Sequence, residues 1–311
     1  MTNALETLSL DQRIVRYGGL RPCYNAFVDS RTPGSDAKEN FTIIGPGVSE
    51  NPNQHVHIAL PHGFNIGGAR QPPCCVNSQH SHDTAEVFVV HSGRWSFNFG
   101  EHGDDAQVEC RPGDVISLPV HAFRGFTNIG DEPGFLWAVL GGDNPGRVLW
   151  APQVFDLARE HGLVLLDSGR LVDTAAGEAL AATDRPMPRT TPAQVEALRR
   201  YTGVEAAQLI YRDHVGDGET PVIAPGAPLG AADGFTLHRV DLAADAPQAL
   251  PVTEGTEVIF VHRGTVTLYE DDASATLQAG DTATTRRAND RWLTAITRAT
   301  LFVVRSSATI D

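Results

Sequence analysis

The chain is poor in cysteine, with four among 311 residues: Cys23, Cys74, Cys75 and Cys110. Four thiols permit two disulfides, but no C-x-x-C spacing marks a zinc or redox pair. The adjacent Cys74 and Cys75 read as thiols near a strand end. The chain also lacks any run of 18 apolar residues, so no helix is expected to span a membrane. Its first residues, MTNALETLSLDQRIVRYGG, have no basic stretch followed by an apolar one. No secretory signal is expected there, and the thiols are expected to be reduced in the cytoplasm. Positive charge is short, with 24 Lys and Arg against 38 Asp and Glu and a formal charge of −14. Such a surface has no footprint for a phosphate backbone, and no nucleic-acid partner is expected.

What the chain does have is enough apolar content, 41%, for substantial cores, and a length that suggests two domains. Most of it reads as short strands. RWSFNFG alternates strictly and places Trp95, Phe97 and Phe99 on one face as core. EHGDD then supplies a hairpin carrying His102, and VECRPGDVISLP predicts a strand pair around Pro112-Gly113. GFLWAVLGG fits a buried strand. The middle differs. APQVFDLAREHG spaces Val154, Leu157, Ala158 and His161 as one helical face, with Pro152 near its start and Gly162 past its end. TPAQVEALRRY opens with Thr191 and Gln194 in capping-box spacing.

The strand-rich regions repeat. EVFVVHSG from Glu86 matches EVIFVHRG from Glu257 at an offset of 171, and GDVISLP from Gly113 matches GDTATTR from Gly280 at 167. The difference falls in a hairpin, where length changes are tolerated. His91 and His262 recur in both copies with odd parity relative to the glutamates and are expected to be structural. His55, His57 and His62 in HVHIALPHG have no glutamate at a useful spacing and receive no chemistry.

The stretch HSHDTAEVFVVHSG, with its surroundings, resembles the first motif of the cupin family, G-x5-H-x-H-x3-4-E-x6-G. His80, His82, Glu86 and Gly93 match it, and Cys74 stands at the leading glycine. The second motif, G-x5-P-x-G-x2-H-x3-N, is matched by Gly113, Pro119 and Asn128. There His121 replaces the glycine and Arg124 replaces the metal-binding histidine. The resemblance implies a mainly β bicupin: two double-stranded β-helix (jelly-roll) barrels joined by a partly helical linker. The expected divisions are an N-terminal arm over 1–50, a first barrel over 51–150, a linker over 151–225 and a degenerate second barrel over 226–311.

In the family, the two histidines and the glutamate of the first motif hold a metal with the histidine of the second. The residues agree for three of the four. His80 and His82 are two apart, so both point to one face, and Glu86 shares their parity if the strand continues. Two imidazoles and a carboxylate make the facial triad of non-haem iron oxygenases. One divalent ion is expected, iron first, with manganese, nickel, copper or zinc compatible with the same ligands. For the fourth position two accounts stand: Arg124 takes it and competes for Glu86, or a tighter turn presents His121 and frees Arg124 to orient an anionic substrate.

The second copy keeps Glu257 and Arg291 but has Pro251 and Thr253 where the histidines would be, so a metal-free Glu–Arg pair is expected there. The implied function is a dioxygenase-type enzyme acting on a small organic, possibly anionic, molecule. The alternatives are a metal-dependent isomerase or lyase, or a non-catalytic binding or structural bicupin. Open β-edges and the long arm also suggest a homodimer.

Overall fold

EVFVVHS and EVIFVHR are dense in β-branched and aromatic residues, which suit a pleated, buried surface better than a helix. They form the strands Glu86–Ser92 and Glu257–Arg263 in a computed structural model that describes residues 4–144, 146–251, 255–286 and 291–307. Each runs through an antiparallel sheet with equivalent neighbours. In the first half these are Val115–Leu118 and Gly134–Gly141; in the second they are Thr282–Thr285 and Ala299–Ser306. Phe64–Gln71 and Phe235–Leu242 follow as the next strands out.

A second sheet completes each half. Its order is Val76–His82, Arg124–Asn128, Trp95–Phe99, Ala106–Cys110 in the first. In the second it is Pro247–Ala249, Arg291–Ala295, Thr265–Glu270, Ala273–Gln278. The strand order repeats, so the chain holds two copies of one jelly-roll barrel. Trp95, Phe97 and Phe99 are fully buried in the first core, packed with Phe88, Val90 and Leu136 from the opposite sheet. Gly93 shows why the motif needs glycine at the hairpin: its φ is 84°, and a Cβ there would sit 2.7 Å from Gly134 Cα.

The segment VECRPGDVISLP departs from expectation. Its two strands do not pair with each other: Ala106–Cys110 pairs with Trp95–Phe99, and Val115–Leu118 with Glu86–Ser92. The turn at Pro112-Gly113 carries the chain from one sheet to the other.

The helix Pro152–Glu160 and the Thr191–Gln194 capping box of Pro192–Glu196 lie where the sequence put them. On the first, Leu157 is exposed and Phe155 is buried in its place.

The arm and the linker are less separate than their composition suggested. Ile14–Val15 extends the sheet of the second barrel beside Thr282–Thr285, and Glu39–Ile44 joins the first beside Phe64–Gln71. From the linker, Ile210–Tyr211 pairs with Val115–Leu118, and Gly218–Ile223 with Phe235–Leu242. Some of the sheet edges expected to seek cover thus gain strands from the same chain, because an unpaired strand edge finds partners wherever backbone is available.

The barrels meet along an apolar seam. Trp137 stacks on Phe260 at 4.7 Å and donates its indole N–H to Thr282 Oγ1 at 3.1 Å. His91 and His262 approach within 5.6 Å between ring centroids, and His62 Nε2 lies 2.8 Å from Thr284 Oγ1. One cluster, including Phe41, Val139, Val258 and Phe302, spans both halves. Among the described residues no helix is long and apolar enough to cross a membrane.

Candidate metal centre

His80 and His82 close the strand Val76–His82, and Glu86 opens Glu86–Ser92 after a three-residue turn. The two strands belong to different sheets of the first barrel. The three side chains are brought together by the turn rather than by one continuous strand face. Their ligand atoms all lie within 4.8 Å of one another, and all three residues are buried. The imidazole rings are 5.0 Å apart and nearly perpendicular.

The local hydrogen bonds fix what each group presents. His80 Nδ1 lies 2.7 Å from the Ser78 carbonyl, which only accepts, so that nitrogen carries the proton and Nε2 keeps its lone pair. A looser contact to Asn77 Nδ2, at 3.4 Å, does not change this. Ser78 is itself held, because its N–H donates to Asp29 Oδ2 at 3.0 Å and Asp29 is paired with the buried Lys38. His82 Nδ1 has no partner, and its Nε2 faces Glu86 Oε1 at 3.7 Å. Burial, with the nearby Arg124 cation second, depresses both imidazoles, His80 to about 3 and His82 well below the ordinary value. Both are therefore neutral, the form that ligates a metal.

Arg124 is the cross-strand neighbour of His80. It is completely buried, donating to Glu86 Oε2 at 2.8 Å and to the His80 carbonyl at 3.2 Å. Burial lowers its pKa against the opposing pull of Glu86. It does not line the cavity beside the three candidate ligands. Its guanidinium is turned to Glu86, the arrangement of the account in which Arg124 competes for that carboxylate.

His121 is not brought to the cluster either. It sits in a turn at φ 54°, with its side chain 62% exposed and its Nδ1 3.7 Å from Asp83 Oδ1. The other motif glycine position, Cys74, has φ 63°. The backbone keeps the left-handed conformation at both places although the residue is not glycine, and at His121 this turns the ring toward solvent. His121→Gly should therefore leave metal content unchanged and raise stability by about 0.5–1 kcal/mol, the strain relieved less the entropy glycine loses on folding. Elemental analysis and urea unfolding measure the two halves; lost metal would restore His121 as a ligand.

The second barrel supplies an internal control. Glu257 pairs with Arg291 through Oε1 at 3.2 Å, as the repeat implied, and with Arg305 through Oε2 at 2.7 Å. Arg305 lies opposite Glu257 in the sheet, as Leu140 lies opposite Glu86. Both oxygens of Glu257 are thus taken by arginines, whereas Glu86 gives only Oε2 and turns Oε1 to His82. Thr253 lies outside the described residues, and Pro251 offers only its carbonyl, to Arg291. Sequence reasoning missed Arg305. The signal was the offset of 165 between Gly134–Gly141 and Ala299–Ser306, which sets Arg305 against Leu140.

The candidate ligands open on a cavity of about 70 Å³. Its apolar wall includes Phe27, Phe88, Phe126, Leu140 and Trp150, and Asn40, Thr42 and Gln54 reach it from the segment first read as an arm and from the loop after it. A donor set of two neutral imidazoles and one carboxylate oxygen fits a divalent first-row ion.

No protein-family model and no curated protein matches the chain in sequence. In structure it is similar to the oxalate decarboxylase of Lactobacillus farciminis, solved as a formate complex: TM-score 0.57, 9% identity, 96% of this chain and 86% of that one covered. It is also similar to the pirin YhhW of Escherichia coli, solved with nickel(II): TM-score 0.53, 11% identity, coverage 94% and 97%. The salicylate 1,2-dioxygenase of Pseudaminobacter salicylatoxidans overlaps less closely, with a TM-score of 0.47 at 15% identity and coverage of 79% and 71%.

Proposed function

We propose that this chain, a bicupin by fold, holds one divalent metal ion on His80, His82 and Glu86 and carries out dioxygenase-type chemistry on a small organic molecule in the adjoining cavity. The observation that supports this most is the difference between the two barrels. Where the second closes its buried carboxylate with two arginines, the first uses one, and two neutral imidazoles face the oxygen left over. Such an ion, when bound, supplies Lewis acidity and, for iron, redox chemistry with dioxygen; manganese, nickel, copper and zinc suit the same ligands. The chain's own residues do the rest. Ser78 and Asp29 hold the His80 tautomer, Arg124 turns Glu86 so that one oxygen is presented, and the aromatic wall makes the surroundings of the site apolar.

Elemental analysis of untagged protein should find about one divalent ion per chain. In His82→Ala occupancy should fall at least tenfold, since one of three ligands is gone. Equal, trace metal in both proteins would defeat the proposal. Dioxygen uptake separates an oxygenase from an isomerase or lyase at the same site.

A further inference from the structure

Among the described residues, no lysine or arginine lines the cavity beside the candidate ligands. Lys38, the only lysine in the chain, is fully buried against Asp29 and donates to Asn77 Oδ1 at 3.1 Å. Arg124 is turned to Glu86. Each nearby cation already has its carboxylate. Behind the wall, Glu50 accepts from Trp150 Nε1 at 2.7 Å and is pushed up to about 8 by burial, so it is uncharged at neutral pH. The cavity, about 70 Å³, is under half of the roughly 150 Å³ that houses a benzene ring. A ligand there keeps no water shell, and an anionic group would lose its hydration with no cation to replace it.

Besides His82 Nδ1 at the metal site, two polar atoms lining this cavity lack partners. Asn40 Nδ2 and Gln54 Oε1 are buried and make no hydrogen bond. Asn40 is 7% exposed, and Gln54 spends its own amide nitrogen on Thr42 Oγ1 at 2.6 Å. Asn65, by contrast, donates to the Gly142 carbonyl and accepts from Gly47, and the Asn77 oxygen accepts from Lys38. Buried polar groups in folded proteins are nearly always paired, so one unpaired donor and one unpaired acceptor lining the same cavity form a template for a ligand.

We infer that the cavity selects an uncharged, compact, polar molecule, with an acceptor for Asn40 Nδ2 and a donor for Gln54 Oε1. Its only permitted anionic atom is the one that meets the metal site. The inference deepens the proposed function and rests on it for that last atom alone.

Acetamide and acetate test it, because they share a four-atom skeleton that suits the cavity and differ by one charge. Binding is followed by ligand-observed NMR saturation transfer, on protein as purified and again after dialysis against a chelator. Acetamide should bind in both states, and at least fivefold more weakly in Asn40→Leu and in Gln54→Leu. Acetate should bind at least tenfold more weakly than acetamide in the stripped protein. Circular dichroism and urea midpoints confirm that the variants are folded, and if one is not, the alanine variant at the same position provides the same readout, weakened acetamide binding. Acetate binding as well as acetamide after metal removal, acetamide binding unmoved in both variants, or no binding of either probe would overturn the inference. Because the stripped protein is measured by itself, a failed metal assignment leaves this result readable.

Discussion

Arg124→Met is expected to destabilise the metal-free protein by about 3–5 kcal/mol and at the same time to tighten its grip on a divalent ion. The guanidinium and Glu86 form a buried pair at 2.8 Å, with side chains 1% and 7% exposed. Methionine fills much of the volume but leaves Glu86 a carboxylate without its cation, the costly way to break such a pair. A divalent ion on His80, His82 and Glu86 would then be the only countercharge in reach. It would enter a site carrying one net negative charge, rather than one already neutralised by arginine. Added Mn(II) should therefore stabilise the variant more than the wild type, since an ion that binds only the native state stabilises in proportion to its affinity. Urea unfolding with and without the ion gives both numbers. A metal-dependent gain no larger than in wild type would show that Arg124 does not compete for Glu86.

A comparable effect is expected from pH at Glu50. Its carboxyl accepts from Trp150 Nε1 and from the Val28 N–H at 2.6 Å, yet burial outweighs both bonds and raises it from 4.5 to about 8. The native state thus holds this proton more tightly than the unfolded chain does. Its contribution to stability is present below the unfolded pKa and is lost progressively as pH rises from about 4.5 to about 8. At about 1.4 kcal/mol per unit, the loss between pH 5 and 8 is on the order of 4 kcal/mol. Glu50→Gln carries no such charge. Its amide cannot accept from both donors, so it pays a fixed hydrogen-bond penalty at every pH, but its stability relative to wild type should improve steadily across that window. Paired urea titrations at pH 5 and pH 8 measure the change. A difference independent of pH would mean that Glu50 is ionised in the folded protein.

Much of the barrel architecture was legible because it is written twice. The match of EVFVVHS to EVIFVHR fixes equivalent central strands, and both lie between equivalent neighbours. The meeting of His80, His82 and Glu86 was anticipated from a strand parity that does not apply, since a turn separates Glu86 from the histidines and puts it in another sheet. Motif spacing carried that expectation; alternation did not. His121 was misplaced because counting residues along a turn says nothing about the sign of φ, and at 54° its side chain leaves the barrel. Arg124 turns to Glu86 rather than to the cavity for an energetic reason: a buried guanidinium is costly without a buried carboxylate beside it. Asn40 and Thr42 went unnoticed because FTII looks like any buried strand, and nothing local says that the strand crosses from a supposed arm into the wall of a cavity.

The pairing of Ile14 with Ala283 and of Val15 with Thr282 constrains how the molecule is made. Ile14–Val15 leaves the ribosome well before Thr282–Thr285, the strand that it pairs with. At roughly 5–20 residues per second, the wait is some tens of seconds. During it, the first barrel can take Glu39–Ile44 and, later, Ile210–Tyr211 for its own sheet, while Ile14–Val15 stays unmatched. That sheet is then completed by docking an earlier-made strand onto strands made much later. A nascent chain stopped short of residue 282 would present an unclaimed N-terminal strand to whatever sheet edge lies nearby.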